Sequence, residues 1–115
     1  MKVLVIGNGG REHALCMFIK KSPICKKLYC IPGSDSIKEL ADCFDINPMN
    51  NTDVVNFCIK QKIDFVVIGP ELPLSNGIVD QLKKDNKWKE VEFFKSDYIA
   101  SKDVNAWLGL YEVIK

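Results

Sequence analysis

Lys2-Val3-Leu4-Val5-Ile6-Gly7-Asn8-Gly9-Gly10-Arg11-Glu12-His13 is the stretch on which the reading of the whole chain turns. Its first half is an unbroken β-branched and leucine run closed by Gly7, the pattern of a parallel strand buried on both faces. Gly7-Asn8-Gly9-Gly10 then makes a turn. From Glu12 to about Lys21, Ala14, Leu15, Phe18 and Ile19 recur at helical spacing, and Ser22-Pro23 ends the helix. A strand, a glycine turn and a helix in that order predict the opening of a strand–helix–strand unit.

The same alternation continues. Lys27 to Ile31 predicts a second strand ended by Pro32-Gly33, and Ser34 to Leu40 leaves room for one helical turn before a weak third strand around Cys43 to Ile46. Asn51 or Thr52 caps a helix running to about Lys62, with Val54, Val55, Cys58 and Ile59 on one face. Ile63 to Ile68 is the clearest strand after the first. It runs into Gly69-Pro70-Glu71-Leu72-Pro73-Leu74, and Ile78, Val79 and Leu82 mark a further helix before the charged stretch Lys83 to Lys89. Val91 to Phe94 supplies a fifth strand, and Trp107, Leu110 and Ile114 a closing helix over Asp103 to Lys115. Parallel strands need crossovers, and crossovers are strongly handed. The expected fold is therefore α/β, a Rossmann-like, doubly wound parallel sheet in a single small domain.

Bulk properties narrow the function. At 115 residues with 47% hydrophobic residues, the chain builds one ordinary core and has no room for a second catalytic domain. Sixteen Lys plus Arg oppose fifteen Asp plus Glu, so no net field favours nucleic acid or anionic membrane, and an anion site has to be local. Cys16, Cys25, Cys30, Cys43 and Cys58 include no C-x-x-C pair and sit in apolar-patterned segments, as reduced core thiols do. With one histidine in the chain, a zinc site is not expected. No basic and apolar leader opens the sequence and no run reaches the ~20 apolar residues that span a bilayer, so the cytoplasm is the expected compartment.

The glycine turn lies where backbone amides and the helix dipole collect anions. Two familiar cofactor loops fail against it: the dinucleotide fingerprint G-x-G-x-x-G needs glycine or alanine where Glu12 stands, and a Walker A loop needs a lysine that is absent. What remains is a turn carrying Arg11, the sole arginine, and His13, the sole histidine. A cation at a helix N-terminus is disfavoured by ~0.3–1 kcal/mol. Arg11 therefore calls for an anion, which is either Glu12 or another carboxylate, or a ligand phosphate or carboxylate gripped by the guanidinium with the amides of Gly9 and Gly10. His13 in the first helical turn reads equally well as a packed residue. In a doubly wound sheet the turns at Pro32-Gly33-Ser34-Asp35-Ser36 and Gly69-Pro70-Glu71 share the carboxyl edge with the first, and the first and fourth strands flank the switch-point crevice. Glu71 would face the glycine loop there, accepting sugar hydroxyls and repelling phosphate.

MKVLVIGNGGREHAL, IPGSDS and IDFVVIGPELPLSNGIVD, in this order and spacing over roughly Met1 to Leu82, closely resemble the N-terminal (preATP-grasp) domain of the phosphoribosylamine-glycine ligase family of the ATP-grasp superfamily. The resemblance implies a purine-synthesis ligase in which ATP phosphorylates the carboxylate of glycine and the amine of 5-phosphoribosylamine attacks the acyl phosphate. It implies substrate-binding roles for Gly9, Gly10 and Arg11 at the phosphoribosylamine pocket, for Pro32 and Gly33 as its wall, and for Glu71 on ribose hydroxyls. It assigns this domain no catalytic residue, no metal ligand and no cofactor of its own. ATP and magnesium belong to the full enzyme, so an ATP-grasp partner in another chain or a missing segment is implied. Ser34 stands where the family usually has asparagine, and residues 85 to 115 diverge from the family pattern. The chain is accordingly expected to be a fragment, half of a split enzyme or a degraded product, inactive alone. A stand-alone sugar-phosphate or nucleotide module and a vestigial structural domain are the competing readings.

Overall fold

The structure is a computed structural model that describes residues 1–68, residue 82 and the strand backbones 89–94 and 97–101. Strand β1 (Lys2–Gly7) leads through helix α1 (Gly10–Lys20) to β2 (Lys27–Pro32), and a short 3-10 turn (Ile37–Glu39) precedes the two-residue β3 (Asp42–Cys43). Helix α2 (Asn51–Gln61) returns the chain to β4 (Phe65–Ile68), and β5 (Lys89–Phe94) and β6 (Asp97–Ser101) follow. The sheet order is β3-β2-β1-β4-β6-β5. The first four strands are parallel, with Lys2 opposite Lys27, Gly7 opposite Pro32, and Val3 to Ile6 opposite Phe65 to Ile68.

The continuous apolar run of β1 is explained by this position: both faces of the strand are covered. Val3 and Val5 pack with Leu15, Cys16 and Ile19 of α1 on one side, while Leu4 and Ile6 pack with Val54, Phe57 and Cys58 of α2 on the other. Neither helix buries the stripe its sequence suggests. In α1 the buried residues are Glu12, Leu15, Cys16 and Ile19, with Phe18 49% exposed; in α2 they are Val54, Phe57 and Cys58, with Ile59 65% exposed. Short helices crossing a twisted sheet rotate to fill the groove offered to them, so the buried stripe is decided by the partner surface.

Local chemistry sets the helix ends. Asn50 Oδ1 accepts from the Asp53 amide at 3.1 Å and caps α2. At its other end Lys62 takes the left-handed conformation (φ 56°), and the Ile63 amide reaches back to the Cys58 carbonyl at 2.9 Å. Pro23 disfavours helical backbone at Ser22, consistent with α1 ending at Lys20.

The distal edge corrects one expectation. The fifth strand exists, but it does not continue the parallel sheet: β6, unforeseen in the sequence, pairs antiparallel with β4 (Phe65 opposite Ser101, Ile68 opposite Tyr98), and β5 pairs antiparallel with β6. Only two residues separate β5 from β6, far short of the dozen or so a parallel crossover requires. Of the helix expected around Ile78 to Leu82, Leu82 is helical and buried against the α2 side of the sheet. The helix expected over Asp103 to Lys115 lies outside the described residues.

Candidate ligand-binding edge

The order β3-β2-β1-β4 makes β1 the point at which the winding of the sheet reverses, so the turn leaving β1 stands at the mouth of the switch-point crevice. Gly7 closes the strand at φ +142°, and a Cβ built on it would lie 2.3 Å from Cγ of Glu12. Glu12 folds back over the turn. Its Oε2 accepts from the Gly9 amide at 3.0 Å, its side chain leaves Gly7 no room for a methyl group, and the residue is only 6% exposed. This is half of a capping box with glycine at the cap, and Glu12 at the third helical position is its signature. That spacing was legible in the sequence; the fingerprint test took Glu12 only as a missing glycine.

The Gly9 amide is therefore engaged within the turn, in contrast to the expected grip of a ligand by Gly9 and Gly10 together. Gly10 differs: a Cβ added there would meet nothing within 4 Å, so its backbone faces open space. A helix start leaves its first amides without intrahelical acceptors, and Gly10 carries one of them. Arg11 carries a half-exposed side chain whose Nε lies 4.0 Å from Glu12 Oε1, which makes Glu12 one of the anions it answers to. His13 is half-buried, and its amide makes the first turn of α1 on the Gly9 carbonyl at 3.0 Å.

The second turn is tied to the first. The Gly33 amide donates to the Gly7 carbonyl at 3.1 Å, and the Cys30 thiol approaches the same oxygen at 3.3 Å. The thiol–thiol hydrogen bond with Cys16, together with burial, pushes the Cys30 thiol up and keeps it a protonated donor. Gly33 sits at φ +73°, a region that favours glycine, and a Cβ there would lie 2.3 Å from Cys43 Sγ. Pro32, Gly33, Ser34, Asp35, Lys38, Cys43, Phe44 and Asp45 line a cavity of about 430 Å3 at the carboxyl ends of β2 and β3. Within it the Ser34 hydroxyl is occupied by the Ile37 amide (3.3 Å) and Ser36 (3.2 Å), and Lys38 lies 3.5 Å from Asp35. Burial pushes the Cys43 thiol up, which suits a wall residue.

The structure thus brings Gly9, Gly10, Arg11, Pro32 and Gly33 to one edge; Glu71 lies outside the described residues. Cys30 and Cys43, which shape the second turn, were not singled out in the sequence because their part depends on β2 and β3 being neighbours. Other hollows, of about 420 Å3 beside Lys20, Lys26, Lys27 and Lys38 and about 570 Å3 beside Asp53, Asn56 and Lys60, are not lined by the glycine turns. The five cysteines form no disulfide. Among the described residues no three His, Cys, Asp or Glu gather as metal ligands, and no helix is long and apolar enough to cross a membrane.

Comparison with known proteins identifies the family of the chain. The family model for the phosphoribosylglycinamide synthetase N domain matches residues 1–98. A phosphoribosylamine–glycine ligase of Rhizobium meliloti is 53% identical over 83 residues, covering 72% of this chain and 20% of the relative. The enzymes of that name from Caldanaerobacter subterraneus (44% over 84 residues) and Mesorhizobium japonicum (45% over 86 residues) cover 73% and 75% of this chain and again 20% of their own lengths. The chain spans about a fifth of the length of the curated relatives it matches. The strand, glycine turn and helix that open the sequence, and the fold they start, make this chain a member of the phosphoribosylglycinamide synthetase N-domain family.

Proposed function

We propose that this chain is the substrate-holding N-terminal domain of a phosphoribosylamine–glycine ligase, acting in purine biosynthesis in the cytoplasm. The observation that carries the reading is the edge itself: Gly10, open to space, and the half-exposed Arg11 follow the end of β1, Pro32 and Gly33 follow the adjacent end of β2, and the Gly33 amide ties the second turn to Gly7. Arg11 would take the anionic end of 5-phosphoribosylamine by charge-assisted hydrogen bonds, and Glu71 would accept from its ribose hydroxyls.

In the overall reaction ATP and glycine join with 5-phosphoribosylamine to give glycinamide ribonucleotide, ADP and phosphate; ATP with magnesium activates the carboxylate. The described residues do not fit that group, since Glu12 fills the anion position of the turn and no cluster of metal ligands lies among them. We assign the chemical step to ATP-grasp lobes, which the resemblance to the ligase family implies in a further segment or another chain. This domain's part is to bind and orient the sugar phosphate.

The test is a titration of the chain with ribose 5-phosphate and, separately, with ATP and magnesium, followed by backbone amide NMR. Shifts at Gly10, Arg11, Gly33 and Glu71 with the sugar phosphate alone are expected. Silence with both ligands from a folded chain would sink the reading in favour of a structural domain, and shifts with ATP alone would replace it with a nucleotide-binding module.

A further inference from the structure

We infer that the buried Glu12 carboxylate is a selectivity element: it holds the place at the glycine turn where a dinucleotide's diphosphate would sit and reserves the edge for ligands that enter past Gly10 and Arg11. The inference rests on the reading of this edge as a ligand site and adds to it which anions the edge refuses.

Gly7 and Gly9 have the spacing of a dinucleotide turn, at the end of the first parallel strand and the start of its helix, where such turns hold diphosphate on backbone amides. The position of the third glycine is Glu12. Its carboxylate lies on the Gly9 amide at 3.0 Å, and its stem fills the space above Gly7. Arg11 neutralises it only partly, with Nε 4.0 Å away. A diphosphate bound on this turn would lose the Gly9 donor and would lie within a few ångströms of a fixed negative charge in a largely desolvated setting, where like charges repel strongly.

A cap needs no charge. Glutamine serves the third position of a capping box as glutamate does, by placing one oxygen on the cap amide. If Glu12 were there for the fold alone, its neutral isostere would change nothing in ligand choice. That contrast separates a selectivity role from a structural one.

The experiment compares the wild-type chain with Glu12→Gln and Glu12→Gly, the second restoring the glycine of the dinucleotide turn. Each is titrated with inorganic pyrophosphate and with ribose 5-phosphate by amide NMR, and thermal melting monitors the fold. Glu12→Gln, which keeps the bond to the Gly9 amide and loses only the charge, is expected to fold and to bind pyrophosphate about tenfold more tightly than wild type, with shifts at Gly10 and Arg11. Glu12→Gly is expected to do the same at a lower melting temperature. Folded variants with wild-type indifference to pyrophosphate would overturn the inference, and so would collapse of both variants, which would leave the carboxylate a purely structural part. The ribose 5-phosphate arm reports separately on the function proposed above: if it is silent while pyrophosphate binding appears, that proposal falls and the selectivity role of Glu12 stands.

Discussion

Two glycine turns meet at the carboxyl edge, and they need glycine for different reasons. At Gly7 the obstacle is a carboxylate stem folded back from the first turn of the helix that follows; at Gly33 it is the thiol of Cys43, brought across from a neighbouring strand. The first constraint is local and the second exists only once β3 lies beside β2. Gly10, at the start of α1, has neither obstacle. Among these glycines, packing explains two, and the third is the one proposed to face a ligand.

Substitution sharpens that contrast. Gly7→Ala is expected to have the largest effect, about 3 kcal/mol or more of lost stability, because strained backbone and overpacking against Glu12 act together. Gly33→Ala should lose about 2–3 kcal/mol, part of it recovered when Cys43→Ala clears the space; chemical denaturation of the four chains in that cycle measures the coupling, and strict additivity would contradict the contact. Gly10→Ala should leave stability unchanged or raise it by up to about 1 kcal/mol, as alanine suits a helix better, while weakening ribose 5-phosphate binding. Equal destabilisation at all three glycines would erase the distinction.

Arg11→Ala belongs on the ligand side of the same comparison: binding of ribose 5-phosphate should fall about tenfold with less than about 0.5 kcal/mol lost in urea unfolding. On the structural side, the Cys30 thiol ties the turns together as a protonated donor whose pKa is raised above the ordinary value of 9.0. The unfolded chain ionises first, so the stability this thiol contributes is complete below about pH 9 and declines as pH rises beyond it. Denaturation curves between pH 8 and pH 10.5 should therefore show a shallower decline in Cys30→Ala than in wild type. Smallest is Lys62→Gly at the left-handed end of α2, remote from the edge, expected to gain up to about 1 kcal/mol without touching binding.

The elements legible in the sequence were those whose signals are contained in a few neighbouring residues. β1 showed itself by its run, α2 by its helical spacing, although Asn50 caps it rather than the expected Asn51 or Thr52, and the glycine turn by lying between a strand and a helix. The boundaries of β3 and β4 moved by up to three residues, since strand ends depend on where a partner stops. Asp97 to Ser101 gave little sign of a strand because aspartate, alanine and serine are poor strand formers; pairing with β4 is what makes it one.

Sequence alone determined the order of elements from β1 to β4 and the candidate turns, because periodicity and glycine spacing act over ten residues or fewer. Tertiary structure decided the rest. Which helix stripe is buried, why Gly33 cannot carry a side chain, and how the second turn is tied to Gly7 all depend on separate elements that the sheet brings together. The role of Glu12 lies between these: its cap was written in the spacing, but the place it fills above Gly7 appears only when the strand end and the helix start are folded against each other.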